Sequence, residues 1–184
     1  MNDLALHLLD IVQNSLGAGA SFIAIEVSEN PDENLLTISV KDNGRGISPE
    51  QLQKISDPFF TSRTTRRVGL GVPLLRHTAE QSGGSLEVSS EPGKGTLLTA
   101  RFQYDHLDRP PLGDVANAAV LMISANPEVD FSYKYSYNGR SYQVSTQELK
   151  EVLGDLPLND LYVMETIEEM IKENQSDLKV CQIE

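Results

Sequence analysis

Asp10 and Asn14 stand four residues apart, and Asp42 is followed by Gly44 and Gly46 at alternate positions. On a helix, residues four apart project from one face. The amide oxygen of Asn14 can ligate a hard cation such as Mg2+, and the Asp10 carboxylate can take a proton. A solvated polar helix face accounts for the same pair. Asp42 closes a run of β-formers, "LLTISV", and its glycines suggest a nucleotide held close to the backbone. A turn-capping aspartate is the plainer reading. The phosphate-loop pattern GxxxxGK[ST] is absent, and a dinucleotide GxGxxG would need a glycine where Pro49 stands. Gly69 and Gly71 precede another helical stretch and fit either a phosphate-facing turn or a simple helix start. His7, on the first helix two turns before Asn14, could approach a phosphate or pack.

These residues need particular elements to carry them. Asp3 to Leu16 places Leu4, Leu8, Ile11, Val12 and Ser15 on one helical face, and "GAGA" ends the helix. "SFIAIEVS" alternates as a half-buried strand and forms a hairpin with Leu35 to Val40 through "NPDEN". Ser48 and Gln51 read as a capping box with Pro49 in the first turn. "DPFFTSRTTRRVGLG" reads as a loop, and Val72 to Gln81 as a helix stopped by Gly83-Gly84. "SLEVSS" and "GTLLTARF" make another hairpin around "EPGKG". The order implies a mixed sheet with helices on one face, an α/β sandwich.

Two prolines in "HLDRPPLGD" forbid a continuing strand and set an expected boundary. Residues 1–104 are the candidate chemical domain, 105–111 a linker, and 112–184 a small α+β interaction module. In that last part, Val115 to Ser124 is helical and "FSYKYSYNGRSYQV" turns at Asn138-Gly139, a type I′ signal. Helices follow near Thr146 to Leu153 and Asp160 to Glu173. Its tyrosines fit cross-strand packing better than a base-stacking platform.

Composition excludes several classes. Hydrophobic residues reach 39%, or roughly 46% with the 13 glycines, an ordinary globular value. No apolar run approaches about 18 residues, so no membrane span is expected. The first residues lack a basic region, against a signal peptide. The net charge of −12 argues against nucleic acid and anionic lipid as partners. One cysteine, Cys181, excludes an internal disulfide and fits a cytoplasmic location.

Taken together in order, these stretches resemble the GHKL ATPase superfamily of gyrase-type topoisomerases, heat-shock chaperone ATPases, histidine kinases and mismatch-repair proteins. "LLDIVQNSLGAGA" is similar to the family's N box, with Asn14 as the magnesium-binding asparagine. "DNGRGI" and "VGLGVPLLRHTAEQSGG" resemble its two glycine boxes, "DPFF" its phenylalanine box, and "EPGKGTLLTARF" its closing strand. The resemblance covers about residues 3 to 104. It implies a Bergerat fold that binds ATP with Mg2+ under a mobile lid. Thr96 would then be the adenine-side threonine.

The chemistry agrees with that implication. A carboxylate at Asp42 accepts from the exocyclic amine of adenine and repels the carbonyl of guanine. Such a charged bond contributes about 1.5–3 kcal/mol. Gly44 and Gly46 would let the backbone approach the purine, while Gly69 and Gly71 would free N–H groups for phosphate. Arg63, Arg66 and Arg67 reach a γ-phosphate or belong to a solvated loop. Hydrolysing members carry a glutamate where this chain has Asp10, shorter by one methylene, so Asp10 is the candidate base. A histidine kinase's dimerising hairpin, with its phosphoacceptor histidine, is not expected here. The layout also resembles the small ATP-binding proteins that accompany iron-only hydrogenases in anaerobic bacteria. Three activities fit: phosphotransfer to a regulatory or substrate protein, slow ATP hydrolysis that regulates a partner, or ATP sensing without turnover. The oligomeric state is not encoded in any of these motifs.

Overall fold

Alternation of apolar and polar residues fixes which side of each strand is covered. In β1 (Phe22–Asn30) the residues Ile23, Ile25, Val27 and Glu29 are buried. In β2 (Leu35–Asp42) the same holds for Leu36, Ile38, Val40 and Asp42. The two strands pair antiparallel, with Ile25 opposite Val40. The protein is described here by a computed structural model covering residues 3–56 and 71–180. Helix α1 (Leu4–Gly17) precedes the hairpin. Helices α2 (Pro49–Ser56) and α3 (Gly71–Gln81) follow it, and then the hairpin of β3 (Ser85–Glu91) and β4 (Gly95–Gln103). The second part contributes α4 (Val115–Ala125), β5 (Asp130–Tyr137), β6 (Arg140–Ser145), α5 (Thr146–Leu153) and α6 (Leu161–Val180).

All six strands form one sheet in the order β3-β4-β2-β1-β5-β6. Every neighbouring pair is antiparallel except β1 and β5, which run parallel with Ile25 beside Tyr133. Helices pack on one face, as the sequence leads one to expect. The reverse face carries Thr37, Ser39 and Thr99 with the ion pairs Arg101–Glu87 (3.0 Å) and Lys134–Glu26 (2.8 Å). Small hydroxyls and paired charges suit a face in water, because their hydrogen bonds are met there.

The connection at 105–111 runs from β4 to α4, and the sheet continues across it. Backbone N–H groups of Leu4 and Ala5 donate to the carbonyls of Pro111 and Leu112 at 3.0 and 2.9 Å. Buried Val115, Ala119 and Phe131 belong to the same apolar cluster as Leu8, Val27 and Phe102. Helix α6 runs past Glu173 to Val180, burying Val163, Ile167 and Ile171 at four-residue spacing. The turn between β5 and β6 has positive φ at both Asn138 (44°) and Gly139 (82°), the backbone a type I′ turn requires.

Candidate functional site

The site begins where two buried stripes each end in a polar residue. The inward face of α1 runs Leu4, Leu8, Ile11, Val12 and then Ser15; that of β2 runs Leu36, Ile38, Val40 and then Asp42. Ser15 Oγ donates to Asp42 Oδ2 at 2.6 Å, and the Gly44 N–H donates to Oδ1 at 2.9 Å. Asp42 is 7% exposed. A buried carboxylate needs such donors, since an unpaired one is costly. Two bonds leave part of its accepting capacity unused, because an ionised carboxylate offers about four lone-pair sites. A ligand's N–H can be taken up there, whereas a ligand carbonyl would be repelled.

Thr96 lies directly across from Asp42 on β4, so both side chains share the helix-covered face. Its hydroxyl is 2.9 Å from Ser90 Oγ, which also accepts from the Ile47 N–H and lies 2.8 Å from the Gly95 carbonyl oxygen. If Ser90 gives its single proton to that carbonyl, Thr96 must donate to Ser90 and can only accept from a ligand.

On α1 the burial of one stripe leaves Asp10 and Asn14 exposed together, one turn apart. The start of α3 abuts Asp10: a Cβ at Gly71 would lie 3.1 Å from Asp10 Cβ and 3.5 Å from its Oδ2. A larger residue at 71 would therefore push the helix N-terminus away from Asp10. No acidic residue occupies the first turn of α3, and the dipole at a helix N-terminus favours an anion. Among the described residues, no three His, Cys, Asp or Glu side chains converge on one point. A divalent ion here would be held by few protein ligands together with phosphate oxygens, the usual arrangement for Mg2+. The exposed amide of Asn14 fits that demand.

Gly44 and Gly46 have a steric reason of their own, different from clearance for a purine. A Cβ at Gly44 would come within 3.0 Å of both Ala18 Cβ and the Ala18 carbonyl oxygen. Gly46 has a φ of +71°, and its missing Cβ leaves room for the Glu91 carbonyl. The Arg45 N–H donates to the Ala18 carbonyl at 3.0 Å, and the Arg45 carbonyl accepts from Gly93 at 2.8 Å. This loop is thus clamped between the end of α1 and the β3–β4 turn. Asn43 adds a third tie, accepting from the Ser21 and Phe22 N–H groups at 2.9 Å each.

The structure thus brings Asp42, Gly44 and Thr96 together, and sets Asp10 beside Gly71 with Asn14 one turn on. Arg63 and Gly69, with Arg66, Arg67 and the "DPFF" stretch, lie outside the described residues. His7 is buried at 2% exposure with Nδ1 unpartnered among the described residues, and burial pushes its pKa below the usual histidine value. A neutral, enclosed ring fits packing rather than phosphate contact. Ser15 is the residue beside Asp42 that sequence reasoning counted only as part of an apolar stripe. Its signal was a hydroxyl at the end of that stripe, beside the candidate metal ligand.

Comparison with known proteins places these features in a lineage. Residues 2–106 match the family described as histidine kinase-, DNA gyrase B-, and HSP90-like ATPase. The sensor histidine kinase ZraS of Escherichia coli K12 is 32% identical over 106 residues, covering 58% of this chain and 23% of the kinase. The sensor protein SrrB of Staphylococcus aureus is 38% identical over 107 residues, covering 55% of this chain and 18% of that protein. The chain thus spans about a fifth of the length of these curated relatives. Among solved structures, the Aquifex aeolicus MutL ATPase domain complexed with ADP superposes with a TM-score of 0.51 at 20% identity. That alignment covers 83% of this chain and 69% of the MutL domain, and it shows a shared fold.

Proposed function

The chain belongs to the histidine kinase-, DNA gyrase B-, and HSP90-like ATPase family, and from that premise we propose that it binds ATP with Mg2+ to act on a partner protein. The observation that carries the reading is the buried Asp42 carboxylate, oriented by Ser15 and Gly44 and still able to accept. Adenine offers an amine to such a group and guanine a carbonyl, so Asp42 selects the base. Thr96 lies across from Asp42 on β4, on the same face of the sheet. Asn14 supplies an amide oxygen for the metal, and the N-terminus of α3 at Gly71 supplies N–H groups for phosphate. When bound, Mg2+ would neutralise phosphate charge. Arg63 and Gly69 complete the set of residues assigned to the nucleotide.

Asp10 is exposed, adjacent to the start of α3, and free to take a proton from water or from an acceptor hydroxyl. This favours turnover, as phosphotransfer to a regulatory or substrate protein or as slow hydrolysis that regulates one, over sensing alone. A pure sensor needs no base at that point. The absence of any helix long and apolar enough to cross a membrane among the described residues is compatible with a cytoplasmic setting.

Calorimetric titration of the parent and of Asp42→Asn tests the adenine assignment. The parent is expected to bind ATP and to discriminate against GTP. The amide variant keeps the size of the side chain but loses the charge, and is expected to lose nearly all ATP affinity. ATP affinity unchanged within about threefold in Asp42→Asn, or GTP bound by the parent as tightly as ATP, would remove the reading. Incubation with γ-labelled ATP, with and without a cell lysate, separates transfer, hydrolysis and sensing.

A further inference from the structure

The apolar side chains of the last two helices divide into two populations. Val163, Ile167 and Ile171 are buried on α6, and Leu158 pins the preceding loop at 4% exposure. Between residues 152 and 162, Val152, Leu156, Leu161 and Tyr162 are instead 86%, 56%, 76% and 76% exposed. Single exposed apolar residues are ordinary on a protein surface. Four within eleven positions, spread over one helix end, its loop and the next helix start, are a concentration of the kind that marks an interaction site.

The charged residues around that patch are acids except Lys150, which pairs with Asp130 at 3.4 Å. Glu151, Asp155, Asp160 and Glu165 are exposed beside it in sequence. From Tyr162 the exposed face of α6 continues through Glu165, Glu169 and Glu173, at spacings of three and then four residues. The lysines of α6 do not neutralise this stripe: Lys172 pairs with Asp114 at 2.8 Å and with Glu168, and Lys179 pairs with Glu29 at 2.9 Å. Like charges at four-residue spacing weaken a helix on its own, and cations brought from outside relieve them.

We propose that this acid-rimmed apolar patch docks a basic amphipathic helix of a partner protein. The apolar face of that helix rests on Val152, Leu156, Leu161 and Tyr162, and its lysines or arginines meet Glu165, Glu169 and Glu173. Charge complementarity selects this occupant. The chain's net charge is −12, so a second copy would set acids against acids, and an anionic lipid surface would be repelled. The assignment stands on the surface alone and is independent of the nucleotide reading.

The test uses the full chain and two labelled synthetic peptides of about 18 residues, long enough for an amphipathic helix. Both carry leucine at i, i+3, i+4 and i+7; one has lysine at the other positions and the second has glutamate. Fluorescence anisotropy is expected to show salt-sensitive binding of the lysine peptide and none of the glutamate peptide. The double variant Leu161→Ser, Tyr162→Ser is expected to weaken lysine-peptide binding about tenfold. Glu165→Lys with Glu169→Lys is expected to abolish it. All four positions are exposed, and circular-dichroism melting checks that each variant keeps its fold. If the double serine variant melts early, Tyr162→Ser alone replaces it. Lysine-peptide affinity unchanged in the serine and charge-reversed variants would overturn the proposal, because the attraction would then be diffuse. Sedimentation equilibrium showing a dimer that the serine variant dissolves would overturn it too, since a second copy would be the occupant.

Discussion

Ser15 and Asp42 sit in buried stripes where an aliphatic side chain would satisfy the packing, and their 2.6 Å bond joins the first helix to the second strand. Ser15→Ala leaves the Gly44 N–H on Asp42 but frees Oδ2 to rotate or to lose a donor. Its expected effect is a fall in ATP affinity of about tenfold with a stability loss near 1 kcal/mol. Titration calorimetry alongside thermal melting reads both, and unchanged affinity would show that Gly44 alone orients the carboxylate. Asp10 and Asn14 should differ in kind. Asp10→Ala is expected to lower turnover by roughly 10²–10⁴-fold, the usual worth of a positioned base, with ATP affinity little changed. Asn14→Ala is expected to weaken binding only when magnesium is present. Full turnover in Asp10→Ala would reduce Asp10 to a surface acid.

Helix α6 is fastened at its far end by a buried acid. Glu29 on β1 is 6% exposed and accepts from the Tyr104 hydroxyl (3.0 Å), the Tyr135 hydroxyl and Lys179 Nζ (2.9 Å). Lys179 also stands 5.7 and 5.6 Å from the ring centres of Tyr135 and Tyr137. Burial raises the Glu29 carboxyl, but its donors outweigh burial and hold it below the ordinary glutamate value. A depressed carboxyl stabilises the fold above its unfolded value, about 4.3, and that contribution is lost as pH falls through the folded value. Burial and then the Glu29 charge push Tyr104 up to about 12. A raised phenol contributes fully below its unfolded value, about 10, and loses that contribution as pH rises toward the folded one. The melting temperature of the parent should therefore fall on the acid side below about pH 4 and on the alkaline side above about pH 10. Glu29→Gln should melt lower at neutral pH and show a shallower acid limb. Parallel acid limbs for parent and variant would mean that Glu29 does not carry the dependence.

Across the molecule, one sheet and one apolar cluster join the residues before 105 to those after 111. Thermal unfolding is therefore expected as a single transition, coincident by far-ultraviolet circular dichroism and tyrosine fluorescence. Phe131, 1% exposed on β5, faces the same core as β1. Phe131→Ala is expected to cost about 3–5 kcal/mol and to lower that one transition as a whole. Two separable transitions, with only the second moved by Phe131→Ala, would instead make residues 112–184 an independent folding unit.

Local physics wrote much of this into the sequence. Period-two alternation marked β1 and β2 and which of their side chains point inward, because successive residues in a strand face opposite sides. The Ser48–Gln51 capping box and the Asn138-Gly139 turn were legible because each is closed by atoms within four residues. The order of Asn14, Asp42 and Gly71 along the chain was enough to point to a family and a nucleotide. The sequence could not say that β5 lies parallel to β1, because alternation assigns a face and names no neighbour. Nor could it show that Ser15 reaches Asp42 across 27 positions, or that the Glu91 carbonyl leaves no room for a Cβ at Gly46. Those facts depend on which surfaces meet when the helices close over the sheet, and only the folded chain decides that.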